Sequence, residues 1–190
     1  MVPGMRSKAF SIAIIASCQV AAMSLWFSAS AVLPALTAQF RLTPFAQAAL
    51  TSSVQLGFVI GCIASALLGL PDRVDPRRLF SLAAIAGAVA NAGLLAIDPS
   101  SAGALVLRAV TGVCMAGIYP VGMKLASTWA KGDMGLMVGI LVGALTLGSA
   151  SPHLFNAVGG IGWQAPIALA ALASLAAAGG IHLAGIGPNR

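Results

Sequence analysis

Apolar runs long enough to cross a bilayer follow one another down the chain, separated by short polar joints. Six are expected, at roughly 10–35, 45–70, 79–97, 103–127, 134–157 and 163–183. None alternates apolar and polar residues as a barrel strand must. Backbone in lipid has to satisfy its own hydrogen bonds, so each run is expected to be a helix. The joints carry turn residues: "RLTP", "DPSS", "KGD" and "GGIGW". The expectation is an all-α membrane protein, with residues 1–190 forming a single transmembrane domain. The first run follows the positive stretch "MVPGMRSKAF", as a signal peptide would. It is longer than the about 7–15 apolar residues of such a signal, so it reads as an uncleaved first span.

Composition sharpens this picture. The chain is 59% hydrophobic and 7% charged, against about 25% charged in soluble domains. Lipid relieves the outer face of the need for charge. The net charge is +6, but the excess sits in the joints, which reads as orientation rather than nucleic-acid binding. With the N-terminus inside, the inner joints hold Arg6, Lys8, Arg73, Arg77, Arg78, Lys124, Lys131 and Arg190, and the outer ones only Arg41. Both termini are therefore expected in the cytoplasm. Trp129 and Trp163 fall near span ends and read as interface anchors. Cys18, Cys62 and Cys114 each lie in an apolar run, with no partner spacing, and read as small hydrophobes.

One joint is unlike the rest. "LLGLPDRVDPRRLF" packs Asp72, Arg73, Asp75, Arg77 and Arg78 into one turn. Orientation needs its bases but not its acids. Leu70, Asp72, Arg73, Arg77 and Arg78 resemble the loop between spans two and three of the major facilitator superfamily, G-x-L-x-D-R-x-G-R-[RK]. The leading glycine is displaced to Gly69, and Asp75-Pro76 replaces the later one. Arg108 and Gly112 in "LRAVTGVCMAGIYPVGMK" resemble that family's R-x-x-x-G in span four. Gly139, Gly143, Gly148 and Pro152 in "GILVGALTLGSASP" resemble the Gly/Pro-rich fifth span of antiporter-type members. "SLWFSASAVLPAL" is similar to span one of bacterial members.

The resemblance implies one half of a twelve-span fold, the N-terminal one, built as a 3+3 inverted repeat. Gly57/Gly61 and Gly139/Gly143 occupy equivalent places in the two repeats. It further implies alternating-access transport of a small solute in a bacterial plasma membrane, with no cofactor. The second body would be another six-helix half or a homodimer partner. Asp72, Arg73, Arg77 and Arg78 would form an inner gating latch, with Asp72 reaching a positive group or helix terminus across the halves. A solvated loop is the plainer reading of the same residues. A six-helix module that does not transport, or a fragment of a longer chain, are the other readings.

Read from the residues, Arg108 is the most informative position, because a charge inside a span faces the bundle or a water-filled cavity. Arg108, Gly112, Met115, Tyr119 and Met123 share a helix face, expected to line that cavity. No acid lies within a span and the chain has no glutamate. Arg108 must then be balanced by span-one carbonyls, Gln19, Gln55, a second half or an anionic substrate. A purely structural tie between spans four and one, or snorkelling to the outer interface, are the alternatives. Trp26, with Ser24, Ser28, Ser30 and Ser52, completes the polar and aromatic candidates. Gly57, Gly61, Gly112, Gly139 and Gly143 read as packing devices, and Pro120 and Pro152 as kinks. His153 and His182 read as ordinary interfacial residues, and no cluster has metal-ligand spacing. "GSAS", Gly148 to Ser151, with His182, faintly resembles the Ser–His dyad of rhomboid proteases, but its closing glycine is missing.

Overall fold

The computed structural model describes residues 7–157 and 162–189. The termini with Arg6 and Arg190, and most of the "GGIGW" joint, lie outside the described residues. Those that are described are all helix and turn. The order is α1 (Lys8–Ala31), α2 (Leu33–Phe40), α3 (Pro44–Leu68), α4 (Leu70–Arg73), α5 (Pro76–Gly93), α6 (Ala102–Met115), α7 (Tyr119–Ser127), α8 (Met134–Ala157) and α9 (Gln164–Gly180), closed by a 3₁₀ turn at Ile181–Leu183.

Local chemistry sets the helix starts. Ser7, Thr43 and Ser101 cap α1, α3 and α6 by accepting from the backbone N–H groups of Phe10, Ala46 and Ala104. Asp75 caps α5 by accepting from Arg77 N at 2.8 Å, with Pro76 at the first helical position. That explains an acid inside the basic joint. α3 stops at Gly69, whose φ of 59° lies in the left-handed region. α1 and α2 form one rod broken at Val32, just before Pro34. α6 and α7 form another, broken at 116–118, where Pro120 has no N–H for the carbonyl four residues earlier.

Among the described residues, five segments are long and apolar enough to cross a membrane: Lys8–Phe40, Pro44–Leu68, Ala102–Ser127, Met134–Leu154 and Gln164–Leu183. α5 does not meet that measure. It begins three residues before the expected run, because the Asp75–Pro76 cap draws Arg77 and Arg78 into its first turn, and it ends at Gly93, short of the expected 97.

α1 packs on α8 and α9, α3 on α6, and α5 on α9 and α6. Polarity is reversed relative to a soluble protein. Phe45, Leu56, Ile63, Leu67, Leu147 and Leu172 stand exposed, while Ser11, Gln19, Ser28, Asn91, Arg108 and Ser174 are fully buried. Lipid replaces water as the outer solvent, so association rests on packing and interhelical hydrogen bonds. Small residues permit it. A Cβ at Gly57 would sit on the Ala109 carbonyl, one at Gly61 would press on the Val113 carbonyl, and one at Gly112 on the Val54 carbonyl. α3 nevertheless runs unbroken through Gly57 and Gly61, so neither glycine marks a kink. Gly148 lies in the same way against the α1 backbone at Val20.

Hydrogen bonds close both ends of the bundle. At one end Lys8 pairs with Asp133 at 2.6 Å, Lys124 pairs with Asp72, and Arg77 donates to Ala184 O at 3.4 Å. At the other, Trp163 Nε1 donates to Gln39 Oε1 at 2.9 Å and its ring meets Phe40 edge-on. Trp129 is likewise buried, donating to Gly185 O at 3.0 Å. Neither indole is an interface anchor as expected. Each is spent fastening one segment of the chain to another. Cys18 is buried, and Cys62 and Cys114 are partly so; all three are free thiols.

Candidate functional site

Arg108 is wholly buried between α6 and α1. Its Nη1 donates to Leu25 O at 3.2 Å and its Nη2 to Trp26 O at 2.6 Å. Of the partners weighed from the sequence, the span-one carbonyls hold it. Ser28 Oγ lies 3.1 Å from Leu25 O, a weaker alternative for its single proton. Ser28 Oγ lies 2.6 Å from Asn91 Oδ1, and Asn91 Nδ2 donates to Ile167 O at 3.1 Å. One buried polar chain therefore joins α6, α1, α5 and α9. Sequence reasoning missed Asn91. The signal was present: an asparagine in an apolar run must find a partner there.

The expected cavity face of α6–α7 is mostly packed. Arg108 and Met115 are fully buried, and Gly112 is closed by α3 backbone. Tyr119 and Met123 of that face are half-buried, and Tyr119 lines an open cleft. The physical reason is the glycine-permitted approach of α3, which brings the α6 face against helix rather than water. Gln19 is also wholly buried. Its amide lies against Gly122, and neither of its polar atoms has a hydrogen-bond partner.

The open space is a cleft of about 370 Å³ between α1, α3, α7 and α8. Met23, Trp26 and Phe27 come from α1, Gln55 and Phe58 from α3, Tyr119 from α7, and Leu145, Thr146 and Ser149 from α8. Three sequence candidates, Trp26, Gln55 and Tyr119, thus meet at one site. Trp26 and Phe58 stack edge-to-face at 4.9 Å, and Phe27 lies 6.4 Å from Trp26. The α8 hydroxyls have already donated, Thr146 to Val142 O and Ser149 to Thr146 O. The Gln55 amide and Tyr119 hydroxyl make no hydrogen bond to any described residue, so both are available to a guest. Concave, apolar sites with few polar groups are where small molecules bind.

A second hollow, about 520 Å³, lies at the Lys8–Asp133 end, lined by Asp72, Arg73, Asp75, Lys124, Thr128 and Asn189 among others. It holds the basic joint. Asp72 pairs with Lys124 of α7 in this same chain, not with Arg73, and Asp75 pairs with Arg77 at 3.1 Å. Arg73 and Arg78 have no ion-pair partner among the described residues. The Arg77 hydrogen bond holds the Asp75 carboxyl below the usual carboxylate range. At Asp133 the Lys8 ammonium does the same. Among the described residues no group of His, Cys or Asp could hold a metal ion.

The two glycine pairs expected to be equivalent have unlike surroundings. Gly57 and Gly61 are buried, each closed by the α6 backbone. Gly139 and Gly143 present an open face on α8, with nothing within 4 Å of where a Cβ would stand. The equivalence therefore does not extend to contacts. The physical reason is where the neighbouring helix crosses: α6 meets α3 at Gly57 and Gly61, whereas α1 comes closest to α8 at Gly148. Pro152 lies inside α8, which continues past it to Ala157.

The sequence profile of the Major Facilitator Superfamily matches residues 15–185. The chain belongs to the major facilitator superfamily. It is an integral, multi-pass membrane protein of a transport family whose members are carriers rather than enzymes. No curated protein and no solved structure matches it.

Proposed function

We propose that this chain forms one six-span wall of an alternating-access carrier and that the α1–α3–α7–α8 cleft is its substrate site. The observation that carries the reading is the cleft itself, where Trp26, Phe58, Gln55 and Tyr119 from three helices converge on one opening in a chain of this family.

α5 serves as the remaining span. Its 18 residues cover about 27 Å at 1.5 Å each, close to the roughly 30 Å of hydrocarbon. The pairing of helices supports a 3+3 repeat. The first rod of each triple packs on the second of the other, α1 with α8 and α6 with α3, and the third helices, α5 and α9, pack together. Both first rods are broken ahead of a proline, Pro34 and Pro120.

The end carrying Lys8, Arg73, Arg77 and Lys124 is the cytoplasmic one, by the loop bias of lysine and arginine. The basic joint acts there as a latch, with Arg73 and Arg78 free to meet a second body. The open glycine face of α8 lies towards that body, a second six-helix half or another copy. Two bodies around one site are what rocking requires.

The test is solvent access. In a background with Cys18, Cys62 and Cys114 replaced, Gln55→Cys should react with a membrane-impermeant maleimide in proteoliposomes. Ile60→Cys, exposed but turned away on the same helix, should not. A Gln55→Cys as unreactive as Ile60→Cys would make the cleft a lipid-facing crease and remove the pathway.

A further inference from the structure

We infer that the cleft selects planar aromatic solutes without net charge; this rests on the reading of that cleft as the substrate site. Among the described residues its walls contribute four aromatic rings, Trp26, Phe27, Phe58 and Tyr119, and no aspartate, lysine, arginine or histidine. The Trp26–Phe58 edge-to-face pair at 4.9 Å leaves an apolar wall against which a flat ring can stack.

The nearest buried charge decides between charge classes. Arg108 stands behind the wall, hydrogen-bonded to the carbonyl of Trp26 at 2.6 Å. No carboxylate compensates it, since all four acids lie in joints. Its field therefore opposes a cation entering the cleft, although the rings alone would welcome one. The same arginine cannot pair with an anion there. The guanidinium is fully buried behind the wall and sealed from the opening, with two of its N–H groups on α1 carbonyls and Nε without a partner. An anion would lose its hydration without gaining a salt bridge.

The polar groups left over suit a neutral guest. Gln55 offers both a donor and an acceptor, and Tyr119 offers a hydroxyl. Together they match an amide, alcohol or ring N–H at one edge of an aromatic plane. The anionic substrate weighed from the sequence is set aside on these grounds, because Arg108 is buried and does not line the cleft.

Three near-isosteric probes test the charge rule on the full chain in nanodiscs: indole-3-acetamide, indole-3-acetate and tryptamine at pH 7. Equilibrium binding should favour the amide at least tenfold over tryptamine and several-fold over the acetate. Gln55→Ala and Phe58→Leu should each weaken amide binding at least fivefold, while Leu172→Ala, exposed on α9, leaves it unchanged. Preference for the acetate or for tryptamine, still sensitive to Gln55→Ala, would overturn the charge rule and keep the site. Binding insensitive to both cleft variants would overturn the site itself. Melting curves of each variant in the same nanodiscs separate loss of binding from loss of fold.

Discussion

Arg108 reaches from α6 to the carbonyl oxygen of Trp26 on α1, 2.6 Å away, and is fully buried in doing so. In that position the guanidinium ties α6 to two α1 backbone carbonyls. Arg108→Ala removes the two bonds that tie α6 to the Leu25 and Trp26 carbonyls and opens a cavity. A loss of about 2–4 kcal/mol is expected, read from unfolding in detergent. Arg108→Lys can satisfy only part of this fork. It should lower uptake of neutral and anionic solutes by the same factor. A selective loss for anions would show the guanidinium contacting substrate.

Asn91 sits at the crossing of three helices, accepting from Ser28 and donating to Ile167 O. Asn91→Leu removes both bonds without shrinking the side chain. Interhelical hydrogen bonds in membranes are modest in strength, so a loss of about 1–2 kcal/mol is expected. The double variant Asn91→Leu, Ser28→Ala should cost less than the sum of the single changes, because the two share one bond. Strict additivity in the same unfolding assay would argue that the bond contributes nothing.

How far the sequence discloses the molecule follows from which forces act locally. Apolar run length, capping residues and prolines act within a few residues of themselves, so the long helices and the break before Pro120 are legible. The start of α5 was missed because the Asp75–Pro76 cap outweighs the two arginines that follow, which a hydropathy reading places outside the helix. Convergence of Trp26, Gln55 and Tyr119 was legible only as a set of candidates. Arg108 was legible as buried and the span-one carbonyls as one of its possible partners, but the choice among those partners was not, because a backbone carbonyl leaves no trace in residue identity. The same limit separates Gly57 and Gly61, which are closed by α6, from Gly139 and Gly143, which are open. Identical spacing says that a neighbour could approach, not whether one does. The buried indoles of Trp129 and Trp163 were misread for a similar reason. Their partners, Gly185 O and Gln39, come from distant parts of the chain.

The basic joint should impose an acid limit on stability. Asp75 caps α5 and pairs with Arg77 at 3.1 Å, and the Arg77 hydrogen bond is the main cause that holds its carboxyl below 3.8. A carboxyl whose folded pKa is depressed contributes stability above its unfolded value and loses that contribution as pH falls through the folded value. The melting temperature should therefore be level at neutral pH and decline only below pH 3.8. Asp75→Asn keeps a capping side chain but removes the titrating group, so it should flatten part of that decline. Asp75→Ala should cost about 1 kcal/mol at neutral pH through the lost cap. An acid profile unchanged by Asp75→Asn would assign the decline elsewhere, with Asp133 and its Lys8 partner next in line.

Gly112 and Gly139 should respond in opposite ways to the same added methyl. Gly112 is closed by the Val54 carbonyl of α3, and a Cβ there forces the helices apart. Gly112→Ala is expected to cost about 1–3 kcal/mol. Gly139 has nothing within 4 Å, and alanine is the better helix former by up to about 1 kcal/mol. Gly139→Ala should therefore leave the melting temperature of the chain alone unchanged or raise it. Its effect on assembly and transport is a separate measurement. If the open face of α8 meets a second body, Gly139→Ala and Gly143→Ala together should weaken that association in detergent while the chain's own stability holds. Association that persists undiminished would place the second body on another face. The exposed apolar side of α3, with Leu56, Ile63 and Leu67, would then be the next surface to probe.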